Sequence, residues 1–273
     1  MTAALKPALQ HSYRLSAFER RKNDFYPTPS DLVASLPLGL SRLGLGLPRI
    51  ALDPCGGDGA LRHGLRPSGV DVRLSDLYPE RYLGADGYVT SQPLDASEPE
   101  HLRNAFELAG PACTAIITNT PHNTAEACAI VRNLVALVEE QQVDFVAALF
   151  RSIWGAEPGR LPYLNRPSFF GEILSCWRPR WIPGTKKSPM HAYAWYVWRK
   201  EPRSGPSLKV RVGKFETITA LSAVNLPMRL TISSSWFETS FIHSMSRRGA
   251  GRGQVQDAGL WARSRTHGLA RSA

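Results

Sequence analysis

Ile50-Ala51-Leu52-Asp53-Pro54-Cys55-Gly56-Gly57-Asp58-Gly59 decides the fold. Three apolar residues run into an acid, a glycine-rich turn follows at once, and Ala60-Leu61-Arg62 behind it can start a helix. A strand that stops at such a turn and re-enters as a helix is the nucleotide-binding corner of an open α/β sheet. The glycines let a ligand approach the backbone, and the helix start offers free N–H groups.

Outward from this corner the chain alternates strands and helices. Toward the N-terminus, Thr28 suits a helix N-cap, Pro29 the first helical position and Asp31 the first turn, where an acid complements unpaired N–H groups. This helix is expected to run to about Leu36 and to close at Pro37. Phe25-Tyr26-Pro27 ahead of it is stiff and extended, fit either to staple the helix or to form a pocket wall. Toward the C-terminus, alternation over 70–76 predicts a second strand ending at Asp76, and Tyr88-Val89-Thr90 a short third. A helix over 98–109 precedes the β-branched strand Ala115–Asn119. A long amphipathic helix over Ala125–Glu140 then leads to a fifth strand over 143–150. Residues 172–177 and 192–198 read as two closing strands joined by the loop Arg178–Met190. Such βα units imply a mostly parallel sheet covered on both faces.

The chain has 273 residues, 43% of them hydrophobic, which suffices for a substantial core. No apolar run approaches the roughly 18 residues of a membrane span, and Met1–Ser16 lacks a signal-type apolar stretch, so a cytoplasmic location without membrane partners is expected. Cys55, Cys113, Cys128 and Cys176 are far apart, so neither a metal site nor a disulfide frame is expected. The net charge of +10 is uneven: residues 203–273 hold eleven Lys/Arg and three Asp/Glu, a net of +8. The chain divides into an N-terminal extension (1–24), a central domain (25–202) and a basic, Arg/Gly/Ser-rich extension (203–273) expected to be mainly disordered, with a possible strand over 210–218.

Two acids stand where a nucleoside is gripped. Asp76, twenty residues past Gly56, can accept both ribose hydroxyls, or be a surface acid. Asp95 can receive an adenine amino group, or cap the helix that follows. Asn119-Thr120-Pro121-His122 follows the fourth strand at the carboxyl edge, where open sheets bind ligands.

The Ile50–Gly59 and Thr118–His122 stretches, in this order, resemble the cofactor and catalytic motifs of class I S-adenosylmethionine-dependent methyltransferases. Asp24-Phe25-Tyr26-Pro27-Thr28-Pro29 before them, and Trp181-Ile182-Pro183-Gly184 with Ala194-Trp195-Tyr196-Val197-Trp198 after them, are similar to the phage and prophage type of DNA N6-adenine methyltransferase. The likeness covers about residues 22–200. It implies a Rossmann-like methyltransferase fold: a mostly parallel seven-stranded sheet, helices on both faces and an antiparallel closing strand. It implies S-adenosylmethionine as cofactor, with Asp53, Cys55, Gly56, Gly57 and Gly59 on the methionine part, Asp76 on the ribose and Asp95 on the adenine edge. Phe25, Tyr26 and Thr28 would close over it. Asn119 and the Pro121 carbonyl would accept hydrogen bonds from the target amine, with His122 against the base. The family's usual motif is Asn-Pro-Pro-aromatic; here Thr120 replaces the first proline and His122 the aromatic ring. The partner implied is DNA, with RNA or a protein amine as alternatives, and a cofactor-binding chain without turnover as another. Arg178, Arg180, Trp181, Lys186 and Lys187 make the basic-aromatic loop suited to phosphates and unpaired bases. The spacing of Gly56, Gly57 and Gly59 is not G-x-G-x-x-G, which disfavours a nicotinamide dehydrogenase.

Overall fold

The computed structural model describes residues 26–82, 84–121, 124–182, 190–214, 216 and 217. All fall in one compact unit, Met1–Pro227; the second unit, Met228–Ala273, lies outside them. Seven strands form one sheet: β1 (Ile50–Asp53), β2 (Asp71–Leu74), β3 (Cys113–Asn119), β4 (Phe145–Arg151), β5 (Phe169–Ser175), β6 (Tyr193–Arg199) and β7 (Leu208–Val212). Their order is β2-β1-β3-β4-β6-β5-β7. Only β6 runs against its neighbours, β4 and β5; every other pair is parallel. The expected Rossmann-like sheet with one antiparallel strand is therefore present.

Strand burial explains the two covered faces. Along β4, Val146, Ala148 and Phe150 join one apolar cluster while Phe145, Ala147 and Leu149 join the other. The first cluster holds α3 (Pro99–Leu108) and α4 (Thr124–Glu139), through Leu102, Val131, Leu134 and Val138. The second holds α1 (Ser30–Arg42) and α2 (Ala60–Leu65), through Leu32, Leu36, Leu40 and Leu61. Trp198 and Tyr196 point into the first cluster and Trp195 and Val197 into the second, so the aromatic run 193–198 is core. A last short helix, α5 (Leu161–Leu164), lies between β4 and β5.

Three expectations are corrected. The strand over 88–90 is only an isolated parallel bridge between Leu74 and Tyr88. Gly84 and Gly87 hold positive φ beside it, and the Tyr88 hydroxyl turns inward to donate to the Gly57 carbonyl. The sheet reaches seven strands by another route: β7, from beyond residue 202, pairs in parallel with β5. Gly171 makes this possible, because a Cβ there would overlap the Leu208 backbone. Arg42 ties the same edge by donating to the Arg211 carbonyl and pairing with Glu216 at 2.7 Å. Finally, α1 does not close at Pro37 but runs through it to Arg42, and Pro29 rather than Thr28 is its N-cap. Proline forfeits one helical hydrogen bond, yet Leu36 and Leu40 on either side are fully buried. The Trp195 indole donates to Leu32 O and Ser35 Oγ, both at 3.2 Å, which anchors the helix to the sheet.

Candidate ligand and catalytic site

The strand order reverses between β1 and β3: β2 lies on one side of β1 and β3 on the other. A crevice opens outside the carboxyl ends at such a switch point. There the structure holds a cavity of about 420 Å³, walled by Tyr26–Thr28, the turn after β1, the segment after β2, Leu94–Ala96 and the segment after β3.

The glycine turn forms as its sequence requires. Gly56 donates its N–H to Ser75 O at 2.9 Å, and a Cβ on Gly56 would stand 2.9 Å from the Leu74 Cβ. Gly57 and Gly59 take positive φ, +51° and +82°, a backbone region that costs glycine nothing. Gly59 itself is not on the cavity wall; it is the left-handed residue that starts α2.

Asp53 ends β1 at 2% exposure. Its Oδ1 accepts the Cys55 N–H at 3.1 Å and the Thr118 hydroxyl at 2.8 Å. Burial pushes its pKa from 3.8 up to about 7, and these hydrogen bonds only partly oppose the rise. Asp76, at the end of β2, accepts the Gly57 N–H on Oδ2 at 3.0 Å and the Tyr78 N–H on Oδ1 at 2.8 Å. Burial raises its pKa too. Asp76 therefore braces the glycine turn while lining the cavity. Asp95 lines the cavity, and its Oδ1 accepts the Ser97 N–H and hydroxyl; it does not cap α3, whose N-cap is Glu98. The Cys55 thiol, also in the wall, is held protonated by burial and then by Asp53 and Asp76.

Asn119 and Thr120 leave β3 into the same wall, followed by Pro121. Asn119 Oδ1 and Thr120 Oγ1 are buried and have no hydrogen-bond partner. A second cavity, of about 80 Å³, lies on Pro121 as well, with Phe150, Ile153, Trp154 and Arg160 in its wall. Phe150 and Trp154 stack there, ring centroids 4.4 Å apart. Pro121 is thus a wall shared by a large and a small space.

The structure brings together Tyr26, Thr28, Asp53, Cys55, Gly56, Gly57, Asp76, Asp95, Asn119 and Pro121. Phe25, His122, Lys186 and Lys187 lie outside the described residues. Arg178 and Arg180 are exposed; Trp181 is half-buried, its ring 4.9 Å from that of Tyr193. None of these three is in the cavity wall. Sequence reasoning missed Leu77, Tyr78, Tyr82 and Glu126, all of which line the cavity. Leu77 and Tyr78 directly follow Asp76, and Glu126 lies in the first turn of α4, so adjacency to recognised motifs was the available signal. Among the described residues no cluster of His, Cys, Asp and Glu could hold a metal, and no helix is long and apolar enough to cross a membrane.

No family model matches the chain, and no curated protein resembles it. Among solved structures, it is similar to a Pyrococcus horikoshii protein provisionally described as an RNA methyltransferase (15% identity, 69% of this chain and 94% of that one, TM-score 0.43). It is also similar to a precorrin-8w decarboxylase of Methanobacterium thermoautotrophicum (16%, 65% and 95%, TM-score 0.39). A third is a Listeria monocytogenes protein provisionally described as a class I S-adenosylmethionine-dependent methyltransferase (10%, 72% and 70%, TM-score 0.38). Likeness this distant says nothing of what the chain binds.

Proposed function

We propose that this chain transfers a methyl group from S-adenosylmethionine to an exocyclic amine, adenine N6 in DNA. One observation carries the proposal: the unpartnered, buried Asn119 Oδ1 shares a cavity with the buried acid and glycine turn of Asp53–Gly59.

The residues fit the cofactor. Asp53 is a buried carboxyl suited to an ammonium group, and the Cys55–Gly57 backbone has no side chain crowding the turn at Gly56 and Gly57. Asp76 would take the ribose and Asp95 the adenine edge, with Tyr26 and Thr28 across the opening, as the resemblance implies. When bound, S-adenosylmethionine supplies an electrophilic methyl group on a sulfonium.

The chain's own residues handle the acceptor. An aromatic amine is a weak nucleophile because its lone pair is delocalised into the ring. Asn119 Oδ1 and the Pro121 carbonyl would accept its two N–H groups and hold the nitrogen so that the lone pair leaves the ring plane. The same oxygens stabilise positive charge as it develops on that nitrogen. Pro121 fixes the direction of its carbonyl by restricting the turn. The small cavity beyond Pro121, with its Phe150–Trp154 stack, offers a side from which an acceptor can approach. Arg178 and Arg180, with Lys186 and Lys187, would contact phosphates.

Labelled S-adenosylmethionine incubated with DNA, RNA and protein, followed by nucleoside and amino-acid analysis, tests the proposal. Label is expected as N6-methyladenine in DNA, and Asn119→Ala should lower the rate about 10²–10³-fold, the usual loss for one such acceptor or donor. Label in RNA or in protein glutamine would reassign the substrate. Cofactor that binds without transfer to any of the three would leave a binding protein, a case that the Thr120 and His122 departures motivate; Thr120→Pro with His122→Tyr should then create activity.

A further inference from the structure

The Thr120 hydroxyl is the least explained polar group in the site. Thr120 is 2% exposed, in the wall of the large cavity between Asn119 and Pro121, and its Oγ1 has no hydrogen-bond partner. A buried hydroxyl left unsatisfied is costly, and its neighbour Asn119 Oδ1 is unsatisfied as well. Two adjacent residues therefore line one cavity, and each holds a buried polar atom without a partner. The two groups differ in kind. An amide oxygen only accepts, whereas a hydroxyl can also donate.

We propose that Thr120 is a specificity-determining residue that donates its hydroxyl proton to an acceptor atom beside the target amine, while Asn119 accepts from the amine. The inference rests on the methyl-transfer reading and says which feature of the acceptor the site reads. The complementary ligand is an amine on a carbon that also bears a hydrogen-bond acceptor, H₂N–C=X. Aminopurines, aminopyrimidines and carboxamides have this pattern. Alkylammonium and guanidinium groups do not, because they offer donors only and would leave the Thr120 donor unmet. A threonine at this position is then a recognition element, not a mere loss of rigidity from the turn.

The test uses the full chain saturated with S-adenosylhomocysteine and reads ligand binding by saturation-transfer NMR and calorimetry. 9-Methyladenine and 1-methylcytosine should bind. Butylamine and methylguanidine should not, nor should an adenine whose N6 carries two methyl groups and has no N–H. Thr120→Val should weaken 9-methyladenine about tenfold, and Thr120→Ser should restore it to within about threefold. Unchanged aminobase affinity in Thr120→Val, absence of aminobase binding, or butylamine binding as tightly as 9-methyladenine would each overturn the assignment. The wild-type panel decides even where Thr120→Val fails to fold. If S-adenosylhomocysteine does not bind, the methyl-transfer reading fails, and the same panel run without it still judges Thr120.

Discussion

Asp53 carries the most consequential chemistry of any one residue. Its carboxyl is buried at the tip of β1 and its pKa is raised to about 7. Without ligand, the folded chain binds a proton there that the unfolded chain, near 3.8, has released. Stability from this group is full below the unfolded value and is lost as pH rises through about 7. Asp53→Asn should flatten that fall in a series of thermal melts between pH 4 and 8. A ligand ammonium needs the ionised form, so S-adenosylmethionine affinity should rise toward pH 7. It should fall again once the ligand amine loses its proton, at about pH 8. Calorimetry across pH 5.5–9 checks this, and Asn at position 53 should weaken binding and remove the low-pH limb. The acid was legible in sequence as the residue ending an apolar run before glycines. Its shifted titration was not, because the burial that raises it comes with tertiary packing, and the Thr118 hydrogen bond that partly opposes the rise comes from β3, more than sixty residues away.

At the scale of elements, β7 shows how one small residue sets an edge. Gly171 in β5 admits the Leu208 backbone, and the Cys176 N–H donates to Val212 O at 2.9 Å. Gly171→Val should push β7 off. Amide exchange at Cys176 should speed up and the melting temperature should fall, while ligand affinity stays unchanged because Gly171 is not in the cavity wall. Retention of slow exchange at Cys176 would show that β7 can shift to accommodate a side chain. The helix α1 makes the converse point. Pro37 marks a stop in local terms, but buried leucines on both sides and the Trp195 anchor outweigh the lost hydrogen bond.

For the molecule as a whole, the sheet takes its seventh strand from beyond residue 202. A chain ended at Pro202 would lose β7, whose Val212 is fully buried and whose Leu208 and Val210 are partly so. Removing one buried valine side chain costs about 2 kcal/mol, which for a unit of this size lowers the melting temperature by about 4–8 °C. Calorimetry of that shortened chain against one ended at Thr217 measures the difference; equal melting temperatures would remove β7 from the stable unit. The basic charge beyond residue 203 belongs partly to this edge, since Lys209 pairs with Glu172 at 2.9 Å and Arg211 lies in β7. That fraction of the charge cannot be assigned wholly to a solvated tail.

By itself the sequence determined what local chemistry determines. The strand–glycine–helix corner at 50–61, the alternation that puts Val146 and Leu149 on opposite faces, and the polar segment Asn119–Pro121 after a β-branched strand all depend on residues close together in the chain. Tertiary structure decided what depends on distant partners. It made Thr118 and burial set the state of Asp53, joined Leu77, Tyr78 and Glu126 to the cavity wall, and left Asn119 Oδ1 and Thr120 Oγ1 without partners. It also replaced an expected strand at 88–90 with one at 208–212. Strand pairing rewards whichever segment can both bury its side chains and approach a neighbouring backbone. Gly171 supplies that approach, far in the chain from the segment 208–212, where local sequence offered only a possible strand over 210–218.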